Sequence, residues 1–477
     1  MNYKLMLRMM GLTLLVETLL LLLPLAVTLF YQEDPRPFLY TILPLALAGT
    51  GLSRVKSKSD FFSREGFVVA GLIWIIMSLF GALPFWFSGY FDSFSDCLFE
   101  IVSGFTTSGA TILADIEVLP RGILFWRSFS SWIGGMGVLL FTLAFLPRAG
   151  GRTQILVKAE LPGPLVTKLV PKTAQSAKIL YIIYFALTFL SITAFCLAGM
   201  PLYDAVLTTF ACVCTGGFCV MNASFAAYNT ACQIIAIVFM ILGSLNFTLF
   251  FLAFTGRAKQ ILKSDEFRFF LGAVATASAL LFLSILPLYE SAGTALKDAV
   301  FQATSIISTS GFCTTDYNLW PPFAQVVLVL LMFIGGCSGS TAGSIKCGRI
   351  LLAFRSCSRN LLRLSHPRAV KVVKLDGKVM NEESLSAIYA YFILFFLLLG
   401  GSSLLVSLDG VSLTTAFTAS LGCLTNVGPG LDSVGPVSNF SGFSDLTKYL
   451  LSLMMLIGRL EIFPILLLFH PATWRRS

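Results

Sequence analysis

Charged residues are scarce in this chain, and their scarcity argues against a soluble protein. Lysine, arginine, aspartate and glutamate make up 12% of the 477 residues, while 56% are hydrophobic; in soluble domains about a quarter of the residues are charged. Apolar runs of about twenty residues, the length needed to cross a bilayer, recur along the chain. The sequence therefore predicts a multi-pass membrane protein in contact with the lipid bilayer.

Residues that build catalytic and cofactor sites are also few. Histidine occurs only at His366 and His470, and the eleven cysteines show no CxxC or Cys/His ligand spacing. Neither a metal site nor a disulfide framework is expected from them. The sequence contains no GxxxxGK[ST] motif, so nucleotide binding by this chain is not expected. We predict no enzyme and no cofactor, and keep a multispan membrane enzyme as the alternative from another class.

The net charge of +9 does not indicate nucleic acid as a partner, because the basic residues lie in short loops between apolar runs. With the N-terminus in the cytoplasm, 27 of the 33 Lys and Arg residues fall on cytoplasmic segments, as the positive-inside rule requires. The charge distribution therefore supports the topology with a cytoplasmic N-terminus. The basic segment from Arg349 to Lys378 is either a docking surface for a cytoplasmic partner or only a part of the positive-inside charge distribution. The six exceptions are Arg36, Arg121, Arg127, Lys297, Lys448 and Arg459.

Acidic residues collect on the opposite, external side in this topology. An acidic mouth would concentrate cations, although a set of solvated helix caps would look the same. Both interpretations stay open. The residues are Asp92, Asp115, Glu117, Glu290, Asp316, Asp432 and Asp445.

One stretch occurs four times in degenerate form. The copies DCLFEIVSGFTTSGA, DAVLTTFACVCTGGF, DAVFQATSIISTSGF and TAFTASLGCLTNVGP begin at Asp96, Asp204, Asp298 and Thr415. A dozen apolar residues behind an N-cap residue type are too few to span a bilayer. Each copy is expected to be a re-entrant half-helix, followed by a loop that turns its carbonyls toward a cation. The alternative is four buried helices ended by C-cap glycines. The equivalent glycines are Gly109, Gly217, Gly311 and Gly428.

The apolar runs around these stretches predict an all-α architecture of about ten transmembrane helices. An N-terminal hairpin precedes four tandem helix, pore-loop, helix repeats around a central pore, all oriented alike because each contributes two full spans. Glu17 in the first helix should face other helices. The predicted units are 1–58, 59–160, 161–262, 263–378 and 379–477. The predicted inner spans of the repeats are 122–146, 231–254, 324–354 and 446–469.

Two features interrupt the predicted inner helices. The run GGCSGSTAGSIK, Gly335 to Lys346, is too rich in glycine and hydroxyl residues for a stable helix, yet Gly335, Gly339 and Gly343 could also form a helix-packing face. Arg459 lies in an apolar span, so it should face a wet cavity or a partner, and an interhelical salt bridge is the alternative. Glu461, two residues away, cannot share its helix face.

With these motifs, the chain resembles the Trk/Ktr/HKT superfamily of potassium and sodium transporters, which are similar to potassium channels. The loops TTSGAT, CTGGF, STSGF and TNVGPG match the superfamily's four filter segments, and the second loop departs from the pattern at Cys214 and Gly216. The resemblance covers nearly the whole chain, and its N-terminal hairpin is typical of the Trk branch. It implies a potassium-binding filter of Thr107, Ser108, Gly109, Thr215, Gly216, Gly217, Thr309, Ser310, Gly311, Asn426, Val427 and Gly428. It also implies a gate of Gly335, Gly336, Ser338, Gly339, Ser340, Thr341, Gly343, Lys346 and Arg459.

The resemblance further implies a function and partners. Potassium would be the transported substrate, taken up across the cytoplasmic membrane, because sodium-preferring members tend to carry serine at the first filter glycine. A sodium-conducting or weakly selective relative is the alternative. A homodimer and a cytoplasmic, TrkA-like nucleotide-binding regulatory subunit are implied as well.

Overall fold

The computed structural model describes residues 3–56, 63–137, 173–366 and 371–474. The predicted end of the first inner span, residues 138–146, and the unit boundaries at 58/59 and 160/161 lie outside these residues. Along the chain the helices are α1 (Tyr3–Phe30), α2 (Arg36–Ser53), α3 (Ser63–Gly81), α4 (Leu83–Ser88), α5 (Phe94–Phe105), α6 (Arg121–Gly135), α7 (Thr173–Leu197), α8 (Leu202–Val213), α9 (Thr230–Ser244), α10 (Phe247–Phe254), α11 (Asp265–Ile285), α12 (Ala292–Ile307), α13 (Pro322–Ile334), α14 (Cys347–Ser365), α15 (Glu382–Val406), α16 (Leu413–Thr425), α17 (Asp445–Arg459), α18 (Phe463–Phe469) and α19 (Pro471–Trp474).

The predicted all-α membrane fold is confirmed. Among the described residues, five helices are long and apolar enough to cross a membrane, or six if the bent pair α9 and α10 counts as one span. Large apolar side chains such as Phe189 and Leu197, 75% and 84% exposed, are explained by contact with lipid. One short hairpin, β1 (Lys374–Leu375) paired antiparallel with β2 (Lys378–Val379), is the non-helical element of the described chain. The count of ten spans stays a prediction.

Four units follow the α1/α2 hairpin, and each contains an outer, a pore and an inner helix. The outer helices are α3 with α4, α7, α11 and α15, the pore helices are α5, α8, α12 and α16, and the inner helices are α6, α9, α13 and α17. The pore helices are buried along most of their length. Lys448 at the start of α17 pairs with Asp96 of α5 at 2.6 Å. This contact joins the fourth unit to the first, so the units form a closed ring.

The inner helices are not continuous spans, and this corrects the predictions for 231–254, 324–354 and 446–469. Each inner helix has 13 to 15 residues, about 20–23 Å at 1.5 Å per residue, whereas the hydrocarbon core is about 30 Å thick. Helices α9 and α10 meet at 95°, because the Asn246 side chain accepts a hydrogen bond from Thr248 N and starts a new helix. Between α17 and α18, Glu461 and Ile462 have φ of 57° and 70°.

The pore helices begin before the residues predicted as their N-caps. Ser93 and Ser412 are the caps of α5 and α16, and their hydroxyls accept from Asp96 N and Thr415 N. Asp96 and Thr415 therefore lie one turn inside their helices, which corrects the predicted cap position by three residues. The predicted environment of Glu17 is confirmed, since its side chain is fully buried against the α3 end at Gly81.

Candidate pore loops and gate

All four pore helices end in the same backbone motif. In each, an N–H beyond the helix end donates to a carbonyl five residues earlier, as in a Schellman motif. The preceding residue adopts left-handed φ, between 55° and 59°. The bonds are Ser108 N to Ser103 O, Gly216 N to Ala211 O, Ser310 N to Ser305 O and Val427 N to Gly422 O, at 2.8 to 2.9 Å. The left-handed residues are Thr107, Thr215, Thr309 and Asn426.

This motif decides between two interpretations of the repeated glycines. The position that ends each helix is held by threonine or asparagine, and the glycine lies two residues further on, with φ between 72° and 92°. The repeated glycines are therefore not C-caps, and the alternative of four helices with C-cap glycines is wrong. Their backbone conformation instead belongs to the loops that follow.

The four glycines form a closed ring of close backbone approaches. A Cβ at each glycine would lie closer than 3.0 Å to the carbonyl oxygen of the residue that precedes the glycine in the next unit. The side chain of any other residue would have to push this carbonyl away. The neighbours run in order around the ring: Gly109 against Gly216 O, Gly217 against Ser310 O, Gly311 against Val427 O and Gly428 against Ser108 O.

The ring concentrates oxygen atoms and partial negative charge in one place. Four equivalent carbonyls lie next to four equivalent glycines, and the C-terminal ends of four pore helices point to the same loops. Helix C-termini carry about half an elementary negative charge each, and rings of backbone carbonyls are what replaces the hydration shell of an ion in cation filters. The arrangement can therefore hold a dehydrated cation without any charged side chain.

The second loop adopts the same backbone as the others despite its two departures from the superfamily pattern. Thr215 and Gly217 have φ of 55° and 72°, close to their equivalents. Gly216 leaves no room for a larger residue, because a Cβ there would lie 2.7 Å from Cys214 Sγ. The cysteine and the glycine thus fit each other, and the second loop keeps the backbone conformation of the other three.

A buried ion pair connects the loops that follow the first and second pore helices. Arg127 Nε donates to Glu100 Oε1 at 2.6 Å, and both side chains are almost fully buried. Glu100 also accepts from Thr111 Oγ1 and from Ile112 N, at 2.9 and 3.0 Å. Arg127 Nη1 donates to Cys219 O at 3.0 Å. The pair therefore ties the loop of the first unit to that of the second.

The segment from Gly335 to Lys346 is not helical, so the alternative of a helix-packing face is wrong. Helix α13 ends at Ile334 and α14 begins at Cys347. Gly343 N donates to Thr309 Oγ1 at 2.9 Å, and Thr341 Oγ1 donates to Gly243 O at 3.0 Å and to Val213 O at 3.2 Å. The segment therefore lies directly against the left-handed threonines of the pore loops, and neighbouring units satisfy its polar groups.

Arg459 joins this segment to the first inner helix. Its guanidinium donates to Thr341 O at 2.7 Å and to Gly134 O and Gly135 O at 2.6 and 2.7 Å. The last two carbonyls form the C-terminal end of α6, where a positive charge is favourable. As predicted, Glu461 faces elsewhere: it pairs with Lys346 at 3.6 Å and with Arg349.

Two cavities lie on either side of the loops. The cavity beyond the glycine ring has a volume of about 180 Å³ and is lined by Gly109, Gly217 and Gly311. The cavity on the other side, between the 335–346 segment and Arg459, has about 30 Å³, enough for about one or two waters. The predicted gate residues Gly339, Ser340, Gly343, Lys346 and Arg459 line this small cavity. Ser338 lies to one side and donates to Glu266 at 2.6 Å, and a Cβ on Gly336 would meet Ala342.

Most of the predicted external acidic residues have local hydrogen-bonding roles. Asp115 and Glu117 bind Asn222 of the second unit at 2.7 and 3.0 Å, and Asp316 caps a short turn. Asp432 accepts from Thr415 Oγ1, and Asp445 from Ser95 Oγ. Asp432 lies in a loop outside the spans, and hydrogen bonds from Ser412 and Thr415 hold its pKa below the ordinary value. These contacts favour the interpretation as caps and loop ties.

Sequence reasoning missed several residues of the site. Sequence reasoning does not point to Glu100, although an acidic residue within an apolar stretch needs a partner, or to Glu266, which lies among charged residues at the start of α11. Nothing in the sequence indicates that Glu461 pairs with Lys346. The breaks at Asn246 and Glu461 were also missed. Pro464, next to the second break, is the signal that could have located a helix start there.

The fold and the loops define a multi-pass α-helical membrane protein with four pore-loop units. The sequence profile of TrkH, described as a cation transport protein, matches residues 38–476. The chain belongs to the TrkH family of cation transport proteins, which contradicts the alternative of a membrane enzyme.

The Trk system potassium uptake protein TrkH of Escherichia coli is 37% identical over the full length of both chains. The Trk system potassium uptake protein TrkG of the same organism is 34% identical, with 95% of this chain and 94% of TrkG covered. The crystal structure of the potassium transporter TrkH from Vibrio parahaemolyticus matches with a TM-score of 0.89 at 35% identity, covering all of both chains.

Proposed function

We propose that this chain forms the potassium-conducting pore of an uptake system in the cytoplasmic (inner) membrane, with its N-terminus in the cytoplasm. The observation that carries the proposal is the closed ring of glycines, each against a carbonyl of the next unit. Full-length relatives named as potassium uptake proteins support it. The units 59–160, 161–262, 263–378 and 379–477 act as the four quadrants of the pore.

The filter binds potassium through backbone oxygens. Carbonyls of the loop residues replace part of the ion's hydration shell, and the C-terminal ends of the pore helices add a favourable negative potential. Side chains at the glycines would displace these carbonyls. Glycine at all four positions therefore suits potassium, which is larger and more easily dehydrated than sodium. The filter residues are Thr107, Ser108, Gly109, Thr215, Gly216, Gly217, Thr309, Ser310, Gly311, Asn426, Val427 and Gly428. A sodium-conducting or weakly selective pore is the second candidate, and the glycine at position 109 speaks against it.

The segment from Gly335 to Lys346 acts as the gate. Its contacts with Thr309 and Gly243 support this role, as does the cavity beside it, which has only about 30 Å³. Arg459 adds a positive charge at this constriction and holds the gate to α6 through Thr341 O. Opening requires these hydrogen bonds to break together. The gate residues are Gly335, Gly336, Ser338, Gly339, Ser340, Thr341, Gly343, Lys346 and Arg459.

The regulatory partner binds the cytoplasmic segment that continues from the gate. Helix α14 follows Lys346 directly, and its Arg355 and Arg359 are tied to Asp265 and Glu382 at 2.7 Å each. Movement of α14 by a docked TrkA-like nucleotide-binding subunit would therefore reach the gate without an intervening flexible linker. The membrane subunit functions as a homodimer.

Growth at limiting potassium tests the proposal in cells. A bacterial host without its own potassium uptake systems should grow at low potassium when it expresses this chain together with its regulatory subunit. A Gly217→Leu variant serves as the control, because its side chain would enter the ring at Ser310 O. The proposal fails if the wild-type chain reaches the membrane in normal amount and still does not support growth.

A further inference from the structure

Two cysteines lie at the mouth of the proposed filter. Cys219 and Cys313 each follow a ring glycine by two residues, Gly217 in the second unit and Gly311 in the third. Both line the 180 Å³ cavity beyond the ring, where they are 5% and 8% exposed. The equivalent positions in the other two units are Thr111 and Gly430. The cavity therefore carries thiols along one side only.

Further polar groups lie in the wall of the same cavity. Ser224 and Pro436 line it together with Cys219 and Cys313. Ser224 also accepts from Cys313 N at 3.3 Å, and Cys313 Sγ lies 3.6 Å from Pro436 O. Two thiols, one hydroxyl and one carbonyl thus belong to the wall of one cavity, contributed by two pore loops and the fourth unit.

The backbone holds these groups in place before any ligand binds. Arg127 donates to Cys219 O at 3.0 Å, and Phe225 N donates to Cys313 O at 3.0 Å. A ligand would therefore lose little free energy in ordering the site. Thiolate sulfur prefers soft d¹⁰ cations, whereas hard cations such as potassium prefer oxygen. The cavity thus contains a donor set that the proposed potassium pathway does not use.

We propose that Cys219 and Cys313 form a binding site for a thiophilic divalent cation such as Zn²⁺ or Cd²⁺ at the external mouth of the pore. Each thiol gives up its proton on binding, so one metal ion replaces two protons and the site stays electrically neutral. Inhibition is then steric: the bound metal and its waters fill the cavity through which ions must reach the ring. Binding should weaken as the pH falls, because protons compete for the sulfurs.

Cadmium titration tests binding directly. Purified full-length protein is titrated with Cd²⁺ while the ultraviolet absorption of the cadmium–thiolate bond is recorded. We expect a saturable signal that Cys219→Ser and Cys313→Ser each weaken at least about tenfold in affinity. Cys313→Ala provides a second variant if the serine variant folds poorly. Cys357→Ser, which removes an exposed thiol on α14, is the matched control and should leave the signal unchanged.

Rubidium uptake into proteoliposomes tests the inhibition, which rests on the proposed function, whereas the binding does not. External Cd²⁺ should block uptake by the wild-type protein. For each cysteine variant, the Cd²⁺ concentration that halves uptake should be at least about tenfold higher, with uptake measured relative to the same variant without Cd²⁺. An absorption signal that persists undiminished in both cysteine variants overturns the site, whatever the flux. If the signal behaves as expected but the wild-type protein carries no rubidium, the proposed function fails and the metal site stands.

Discussion

Threonine holds a left-handed backbone conformation at the end of three pore helices. Thr107, Thr215 and Thr309 have φ of 55° to 59°, a region that costs a residue with a Cβ roughly 1–2 kcal/mol and suits a β-branched residue worst. The hydroxyls supply the reason for two of them, since Thr309 accepts from Gly343 N and Thr215 contacts Thr341. Strain at equivalent positions is typical of sites whose backbone must face a ligand.

Serine in place of a ring glycine should reduce the preference for potassium over sodium, and by a graded amount. A Cβ at Gly109 would lie 2.8 Å from Gly216 O, while those at Gly217 and Gly311 would lie closer to their carbonyls. Gly217→Ser and Gly311→Ser should therefore lose more selectivity than Gly109→Ser in a potassium-to-sodium flux ratio. Gly199→Ser is the control, because Gly199 shares the positive φ but has no atom within 4 Å of its Cβ position. An unchanged potassium-to-sodium flux ratio in all three ring variants would contradict the assignment of these loops as the filter.

The Glu100–Arg127 pair predicts a large loss of stability when one partner is removed. Arg127→Met leaves a buried carboxylate unpaired, which costs about 3–5 kcal/mol of unfolding free energy. Arg36→Met is the control, since Arg36 and Asp34 are 73% and 59% exposed and such a pair contributes about 0–1 kcal/mol. Unfolding of the purified proteins measures both. Equal losses in the two variants would show that the buried pair does not support the loops.

At the level of secondary structure, each inner helix is shorter than a membrane span. The four inner helices end at Gly135, Ser244, Ile334 and Arg459, and Arg459 joins the end of the first to the 335–346 segment. Only the third break was predicted from the sequence, because glycine and serine are concentrated there. The others depend on one or two residues, such as Asn246, whose side chain caps the helix that follows the 95° bend.

Weakening the gate segment should raise basal flux and leave selectivity intact. Thr341→Val keeps the shape of the side chain and removes the hydroxyl that bonds Val213 O and Gly243 O. Deleting Ser338 to Ser344 removes the segment's contacts with the pore loops and should give a leaky pore that no longer responds to its partner. Thr193→Val is the matched control, since the Thr193 hydroxyl donates within its own helix, to Phe189 O, and touches neither the segment nor the pore loops. A deletion variant that assembles and conducts at the wild-type rate, still under control of its partner, would rule out the gate.

Arg459 offers a separate test of the constriction. Arg459→Gln removes the charge and retains a side chain that can donate to a carbonyl, so ion flux through proteoliposomes should rise without loss of folding. Arg459→Ala should raise flux further and loosen the contact with Gly134 and Gly135. If both substitutions only abolish expression and a paired carboxylate change restores it, a structural salt bridge is the better account.

At the scale of the whole molecule, four units of the same orientation close into a ring, and the sequence indicated this through the spacing of its glycines. The overall class, the hairpin and the four loops were predictable because each depends on local hydrophobicity and residue type. Contacts between units were not predictable: Arg127 with Cys219, Lys448 with Asp96 and Lys346 with Glu461 join residues about 90 or more positions apart. Nothing local in the sequence specifies such partners.

The most direct measurement is the ion flux of purified protein in proteoliposomes with potassium and sodium compared in the same preparation. We predict that potassium, or rubidium as its tracer, is carried in preference to sodium, and that Gly217→Ser lowers this preference while Gly199→Ser does not. A wild-type protein that conducts sodium as well as potassium, with a ratio that Gly217→Ser leaves unchanged, would contradict the claim that the glycine ring selects potassium.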